Sequence, residues 1–380
     1  MKVFYIDANA VTPQYNYPIL ESLQKEQVDV TLYSTVNRYI SEYYIDNYDI
    51  QADYFYFRIA NKIKNQNLRK LIKVLSYPFE SLKFLKKVKK LKPDIVHYNW
   101  LAVPIIDLFI IKKLKEMRIP VVITRHDFIP HDLKRPSFGD MQCLGLADRI
   151  ICLSNAVKNL FPEDMQKKIT IITHGNTYEK ELRRFQIPKT SRDNSDLKVL
   201  LIGNLKPYKG ALLLLQAVKE LLTENIIPEI KLKLVGKCDA GLMKDIEDYI
   251  GEHNLDNIVE RVYRFIDYDE MFNHVIDSDV GILPYIWGSQ SGLPYIFYAF
   301  NKPLILSNVS GISEQGNEKI SLVIEPNVEQ IKQAIIKYKA IRPNYDPQDF
   351  EDYQSRNDLN TVIREMKSMY SELIGGKLND

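Results

Sequence analysis

Short runs of β-branched and aliphatic residues alternate along this chain with stretches of helical spacing. KVFYI (Lys2 to Ile6), VDVTLY (Val28 to Tyr33), DIVHYN (Asp94 to Asn99), PVVITR (Pro120 to Arg125), RIICLS (Arg149 to Ser154) and KITIITH (Lys168 to His174) are strand-like. Between several of them apolar residues recur at helical intervals, as at Ile19, Leu20 and Leu23, and at Ile110, Leu114 and Met117. A second series follows: KVLLIG (Lys198 to Gly203), a helix from Ala211 to Leu222, KLKLVG (Lys231 to Gly236), a helix from Met243 to His253, and VYRFID (Val262 to Asp267). GILPY from Gly281, PLILSN from Pro303, SLVIEP (Ser321 to Pro326) and an amphipathic helix from Val328 to Ala340 complete it. Alternation of this kind predicts parallel sheets with crossover helices. The polar, charged segment Asn176 to Asp196 divides the two series and has the composition of a linker. The expected organisation is an N-terminal α/β domain over 1–180, a linker over 181–196 and a C-terminal α/β domain over 197–348. A helical tail over 349–380 follows whose docking the sequence does not fix, packing back on the first domain being one option, and a cleft is expected to separate the two domains.

Two turns in the second series carry candidate chemistry. Between GILPY and PLILSN lie the polar turn Ser289-Gln290-Ser291-Gly292 and the helix-length LPYIFYAF. In a doubly wound sheet, the turn after a strand's carboxyl end lines the ligand crevice, and the next helix aims its amides there. The amides of Ser291, Gly292 and Leu293 are expected to be free, and Pro294, lacking N–H, suits a first helical turn. A plain N-cap at Ser291 is the bland reading and is compatible with a phosphate site. The second turn, Gly203-Asn204-Leu205-Lys206-Pro207-Tyr208-Lys209-Gly210, joins a strand to a helix. Its glycines permit a tight loop, and two lysines three apart can both reach a diphosphate.

Bulk composition narrows the class. At 380 residues and 45% apolar content the chain can fill two cores, and a net charge of +2 gives no global pull toward nucleic acid. Three scattered cysteines, Cys143, Cys152 and Cys238, argue against a disulfide framework or a metal cluster and for a reducing, cytoplasmic setting. The run VPIIDLFII from Val103 carries Asp107 and is shorter than the roughly 20 residues that span a bilayer. From Asn61 to Lys92, however, eleven Lys/Arg face Glu80 alone, while Leu68, Leu71, Ile72 and Leu75 keep helical spacing. A basic amphipathic helix pair of this kind suits an anionic membrane surface at the inner face of the membrane, or a solvated helix face. Ten of the first 56 residues are tyrosine, several between Arg38 and Phe57, where they can stack on sugars or pack on their own domain.

His97, His126, His131 and His174 all lie near strand ends in the first series, and His126-Asp127 would point into the cleft. His126 and His131 lack a third ligand for zinc. Asp277-Ser278-Asp279 and Asp267-Tyr268-Asp269 have Asp-x-Asp spacing, but Asp279 precedes a strand directly and reads as its polar turn. No Gly-x-Gly-x-x-Gly follows Ile6, which disfavours a dinucleotide cofactor, and no Walker loop or Gly-x-Ser-x-Gly elbow occurs.

Taken together, GNLKPYKG, LPYIWGSQSGLPYIFYAFNKPLILSNVSGISE, KPDIVHYNW, TRHDFIPH and THGN resemble the signatures of the retaining "group one", family four-like, glycosyltransferases of GT-B type, over roughly residues 1 to 340. The resemblance implies two tandem Rossmann-like domains, the first binding acceptor and the second binding a nucleotide-sugar donor. It implies that Lys206 and Lys209, with Gly203, Asn204 and Gly210, hold the donor diphosphate, and that Ser289, Gln290, Ser291, Gly292 and Leu293 receive its distal phosphate. His126 would face the transferred sugar as the catalytic-site histidine, and Tyr15, Asn99 and Trp100 would meet a glycan or lipid-linked saccharide acceptor. Sugar transfer with retention would need no metal and no cofactor. Two departures stand out: the family's paired glutamates fall on Ser289 and Phe297, and its usual loop arginine on Asn204. These departures keep open a catalytically silent nucleotide-sugar-binding or scaffold subunit, or a phosphorylase or epimerase of the same fold.

Overall fold

In the computed structural model, which describes residues 1–36, 41–128, 138–185, 196–341 and 345–376, every paired strand runs parallel to its neighbour. Strands β1 (Lys2–Asp7), β2 (Asp29–Ser34), β3 (Ala52–Asp53), β4 (Ile95–Tyr98), β5 (Val121–Arg125), β6 (Arg149–Cys152) and β7 (Ile169–Ile171) form one sheet in the order β3-β2-β1-β4-β5-β6-β7. Strands β8 (Leu197–Ile202), β9 (Ile230–Val235), β10 (Val259–Val262), β11 (Val280–Leu283), β12 (Leu304–Ser307) and β13 (Ser321–Ile324) form the other, in the order β10-β9-β8-β11-β12-β13. Central strands such as β1 and β4 are buried on both faces, which is why they read as unbroken apolar runs rather than alternating ones. The second sheet has the strand order of a dinucleotide-binding half-sheet pair, reversing between β8 and β11; the first reverses between β1 and β4.

The chain forms two compact units, Met1–Thr177 with Asp358–Asp380, and Tyr178–Asn357. In the first, the final helix Leu359–Gly376 packs on the helix Pro13–Lys25, and Lys367 Nζ donates to Glu26 Oε2 at 3.0 Å. His97 is part of this fastening: it lies inside β4, fully buried, with Nδ1 at 2.5 Å from the Tyr370 hydroxyl and Nε2 at 2.7 Å from Thr124 Oγ1. Burial pushes its pKa down to about 3. Of the four histidines singled out above, this one is structural, and His131 lies outside the described residues. So does most of the expected linker, 186–195.

Three elements differ from the sequence reading. The strand expected at Val262 to Asp267 occupies Val259–Val262 instead, because β9 ends at Val235, opposite Val262, and offers no partner beyond. The basic segment is one helix, Gln66–Leu91, capped by Asn65 Oδ1 accepting from the amides of Asn67 and Leu68 at 3.0 Å, rather than a helix pair. The tyrosine-rich run contains the helix Ser41–Asn47, and Tyr44, Tyr48 and Tyr56 are buried, Tyr44 and Tyr48 against Tyr17, so these rings build core. Among the described residues no helix is long and apolar enough to cross a membrane.

Candidate active site

Ligands of open α/β sheets bind outside the carboxyl ends of the strands where the order reverses. Both sets of candidate residues occupy such positions, each in its own unit.

In the second unit the loop after β8 is shaped by glycine. Gly203 has φ +113° and Gly210 φ +73°, and a Cβ at Gly210 would lie 2.0 Å from the Pro284 carbonyl oxygen. A Cβ at Gly236 would likewise meet the Gly203 carbonyl at 2.1 Å. The loop closes as a 3-10 turn, Pro207–Lys209, and the amide of Ile286 donates to the Tyr208 carbonyl at 2.7 Å, drawing it against the segment after β11. These constraints bury Lys209, 8% exposed, while Asn204 and Lys206 stay exposed. Lys209 Nζ donates to the Tyr285 hydroxyl at 2.8 Å and sits 4.6 Å from that ring's centroid. A Cβ at Gly203 would lie 3.4 Å from Lys209 Nζ and 3.6 Å from Leu293 Cδ1, so the ammonium sits directly beside Gly203. Among the described residues no carboxylate stands within ion-pair distance of it. An ammonium has three N–H donors, so one phenol leaves two for an anion. A buried cation without a counter-charge is costly unless a ligand supplies one.

The turn at 289–292 is more occupied than its sequence suggests. Gln315, 24 residues beyond Ser291, clamps it: its Oε1 accepts from the Ser291 amide at 2.7 Å and its Nε2 donates to the Ser291 carbonyl at 2.6 Å. The Leu293 amide donates to Ser291 Oγ at 3.3 Å. Two of the three amides expected to be free are therefore satisfied locally. Ser289 and Gln290 are half-buried in this turn, and Gly292 admits the Tyr178 hydroxyl, which a Cβ would meet at 2.4 Å. The helix Leu293–Ala299 follows. Phe297, at one of the family's glutamate positions, is fully buried, and a Cβ on Gly281 would strike its ring at 2.4 Å. That position serves the core here. Asp279, from the discounted Asp-x-Asp pair, accepts the Lys198 amide at 2.8 Å and so anchors the start of β8.

In the first unit the strand ends of β1, β4 and β5 gather a buried polar chain. Asp7 Oδ2 accepts from the amides of Val11 at 2.9 Å and Thr12 at 3.3 Å and from Asn16 Nδ2 at 2.8 Å. Burial pushes its pKa up to about 6, against the opposing pull of these donors. Asn16 Oδ1 lies 2.8 Å from Asn99 Nδ2, and Asn99 Oδ1 lies 2.9 Å from His126 Nε2. Trp100 stacks on His126 at 4.4 Å with an interplanar angle of 2° and donates its indole N–H to Thr12 Oγ1 at 3.0 Å. Tyr15 lies edge-on to His126 at 5.2 Å and also meets the His174 ring at 5.1 Å. Burial, then the neighbouring His174, Arg125 and His97, hold the His126 pKa well below its ordinary range. Arg125 is pinned by a bidentate pair with Asp140 at 3.0 and 2.7 Å.

The structure brings His126, Tyr15, Asn99 and Trp100 together at the strand ends of the first unit. Asn99 needs correction as an acceptor contact: it is fully buried, and its oxygen and amide are both engaged. Trp100, only partly buried, is the group able to meet a ligand. Asp7, Asn16, Tyr285 and Gln315 escaped the sequence reading. An acid ending a first strand, just before a Pro-led helix, was the available signal for Asp7.

Family models match each unit: one described as Glycosyltransferase Family 4 covers residues 14–177, and one described as Glycosyl transferases group 1 covers residues 196–339. The chain belongs to the group 1 glycosyltransferases and is a glycosyltransferase of GT-B fold. It is similar, at 26% identity over 316 residues, to UDP-Gal:alpha-D-GlcNAc-diphosphoundecaprenol alpha-1,3-galactosyltransferase of Escherichia coli, the match covering 77% of this chain and 74% of the relative. Among solved structures it resembles sucrose-phosphate synthase of Thermosynechococcus elongatus, with TM-score 0.74 and 16% identity over 99% of this chain and 100% of that one. Anabaena Alr3699/HepE in complex with UDP gives TM-score 0.73 and 14% identity over 98% and 100%. At these identities the structural likeness speaks to the fold.

Proposed function

We propose that the protein transfers a sugar, with retention of anomeric configuration, from a nucleotide-sugar donor to a glycan or lipid-linked saccharide. The observation that carries this reading is Lys209: a buried ammonium at the carboxyl end of the first strand of its sheet, held by a phenol and, among the described residues, lacking a carboxylate partner. A diphosphate supplies the missing charge. Lys206, exposed on the same loop, adds a second cation, with Gly203, Asn204 and Gly210 allowing close approach and the turn from Ser289 to Leu293 bordering the distal phosphate. In the first unit His126 addresses the transferred sugar and Trp100 the acceptor, while Tyr15, buried like Asn99, packs on the His126 ring instead.

The bond from the anomeric carbon to the β-phosphate oxygen breaks and the departing diphosphate gathers charge, which the lysines stabilise. The acceptor oxygen attacks from the same face, and its proton passes to the departing phosphate oxygen. Positioning and charge stabilisation supply the rate. Uridine donors are the first to test, since the E. coli relative is named for UDP-Gal and the Anabaena structure holds UDP.

Incubating the protein with UDP-sugars and lipid-linked or free saccharides, with NMR of the product linkage, tests this. The α-linked product is expected from an α-linked donor, with Lys209→Ala reducing turnover about 10²-fold or more while circular dichroism is unchanged. Unaltered turnover in that variant sinks the loop's assignment, and a β-linked product sinks retention.

A membrane-facing role for the helix Gln66–Leu91 has its own observation. Leu68, Leu71, Leu75, Phe79 and Leu82 are all exposed, Phe79 at 75%, and their spacing makes one ridge. Lys70, Lys83, Lys86, Lys89 and Lys90 are exposed on the same helix, and Ile105 on another, at 76%. Apolar side chains edged by lysine suit an anionic bilayer surface, where a lipid-linked acceptor would reside.

A further inference from the structure

The polar chain in the first unit has a direction, and the direction starts at Asp7. An ionised carboxylate only accepts, so the group at 2.8 Å from Asp7 Oδ2 is the amide nitrogen of Asn16. Asn16 Oδ1 is thereby turned to the Tyr5 hydroxyl at 3.1 Å and to Asn99, which must present Nδ2 at 2.8 Å. The same Nδ2 donates to Thr12 Oγ1 at 2.9 Å, which leaves Asn99 Oδ1 facing His126 Nε2 at 2.9 Å. A carbonyl oxygen cannot donate, so Nε2 carries the proton. In a neutral imidazole the other nitrogen is then a bare lone pair. The ring's plane is fixed as well, by the Trp100 face and the Tyr15 edge.

We propose that Asp7, Asn16 and Asn99 form a positioning relay that locks His126 in the Nε2–H tautomer, so that Nδ1 presents a hydrogen-bond acceptor to a hydroxyl of the transferred sugar. The relay stands on the geometry alone. Its use rests on the reading that His126 faces the sugar. The chemistry then selects: an Nδ1 lone pair takes a hydroxyl and repels a carboxylate, so a neutral sugar is the donor class and a uronic acid is rejected at that position. Burial supports the neutral ring, since it holds the imidazole pKa well below its usual range. Asn16 makes this a relay rather than a contact, because its side chain hydrogen-bonds to Asp7, Tyr5 and Asn99 and not to His126, and at 1% exposed it meets no ligand.

Long-range proton–nitrogen NMR of the full chain with nitrogen-15 histidine, near neutral pH, reads which nitrogen of each ring is protonated. The His126 signal is the one lost in His126→Gln. The wild type should show His126 purely as the Nε2–H form, which needs no variant to check. Asn99→Leu and Asn16→Leu, once shown to be folded by circular dichroism, should both lose that purity and show mixed tautomers. An Nδ1–H wild type overturns the relay, as does a pure Nε2–H form in either folded variant. UDP-glucose, at a concentration that raises the melting temperature, should shift Nδ1. A raised melting temperature with Nδ1 unmoved overturns the sugar contact alone. Should no nucleotide sugar raise it, the proposed function fails and the tautomer result stands by itself.

Discussion

His97 spends both ring nitrogens inside the first unit, on Tyr370 and Thr124, whereas His126 spends one. Strand placement could not separate them, since DIVHYN and TRHDF both put a histidine near a strand end; partners from residues far along the chain do. The separation has a pH consequence. Unfolded, His97 takes a proton near its ordinary 6.5, while in the fold burial delays that to about 3. Between those values the unfolded chain binds the extra proton, so this residue's contribution to stability is lost as pH falls from about 6.5, by at most about 1.4 kcal/mol per pH unit. Asp7, raised to about 6, and Asp107, raised to about 7, act oppositely, since the folded chain holds protons that the unfolded chain releases above about 3.8. Denaturant melts from pH 7 to 4 isolate the histidine: His97→Gln should lose less stability on acidification than the wild type, and parallel profiles would contradict a neutral His97. The lysine loop was legible because glycines bracketing Lys-Pro-x-Lys at a strand end demand a tight turn. Gln315 was not, because nothing in a sequence marks a side chain 24 residues away as the clamp on Ser291.

Elements were legible wherever period decided them. Eleven of the strands coincide with β-branched or aliphatic runs read from the sequence, while β3, between Tyr48 and Tyr54, falls in the aromatic-rich segment left without an element and was missed. The shifted strand is β10: VYRFID has the right composition, yet pairing is set by where β9 ends. The helix Gln66–Leu91 shows the other limit. Its apolar stripe at Leu68, Leu71 and Leu75 would conventionally be the buried face, but burial falls on Tyr77, Phe84, Leu85 and Val88 further along, and the stripe is exposed. Vesicle co-sedimentation tests what the ridge is for. Wild type should pellet with vesicles containing anionic phosphatidylglycerol more than with neutral ones, and Leu71→Glu/Leu75→Glu/Phe79→Glu should remain in the supernatant. Equal pelleting of the two proteins would remove the membrane role.

At the scale of the molecule, both sheets start at a central strand, build outward and return to its other side, so each has one reversal point, and the candidate chemistry of each unit lies at its own. Alternating strand-like and helical runs foretold parallel sheets with crossover helices, but not the order of the strands within each sheet. The division of labour was harder to read: Phe297 and Ser289 replace the acids expected of the family, and the burial of Phe297 against Gly281 makes the first exchange a core requirement. Donor binding by the second unit, as proposed, then rests on Lys209 and its loop. Thermal melts of the wild type and Lys209→Ala with UDP, GDP, ADP and CMP test that claim most directly. A nucleotide that binds only the folded state stabilises it by about 2.7 kcal/mol at a hundredfold excess over its Kd. A nucleoside diphosphate should raise the wild-type melting temperature and leave that of Lys209→Ala unchanged; equal shifts in both proteins, or none in the wild type with any of the four, would contradict it.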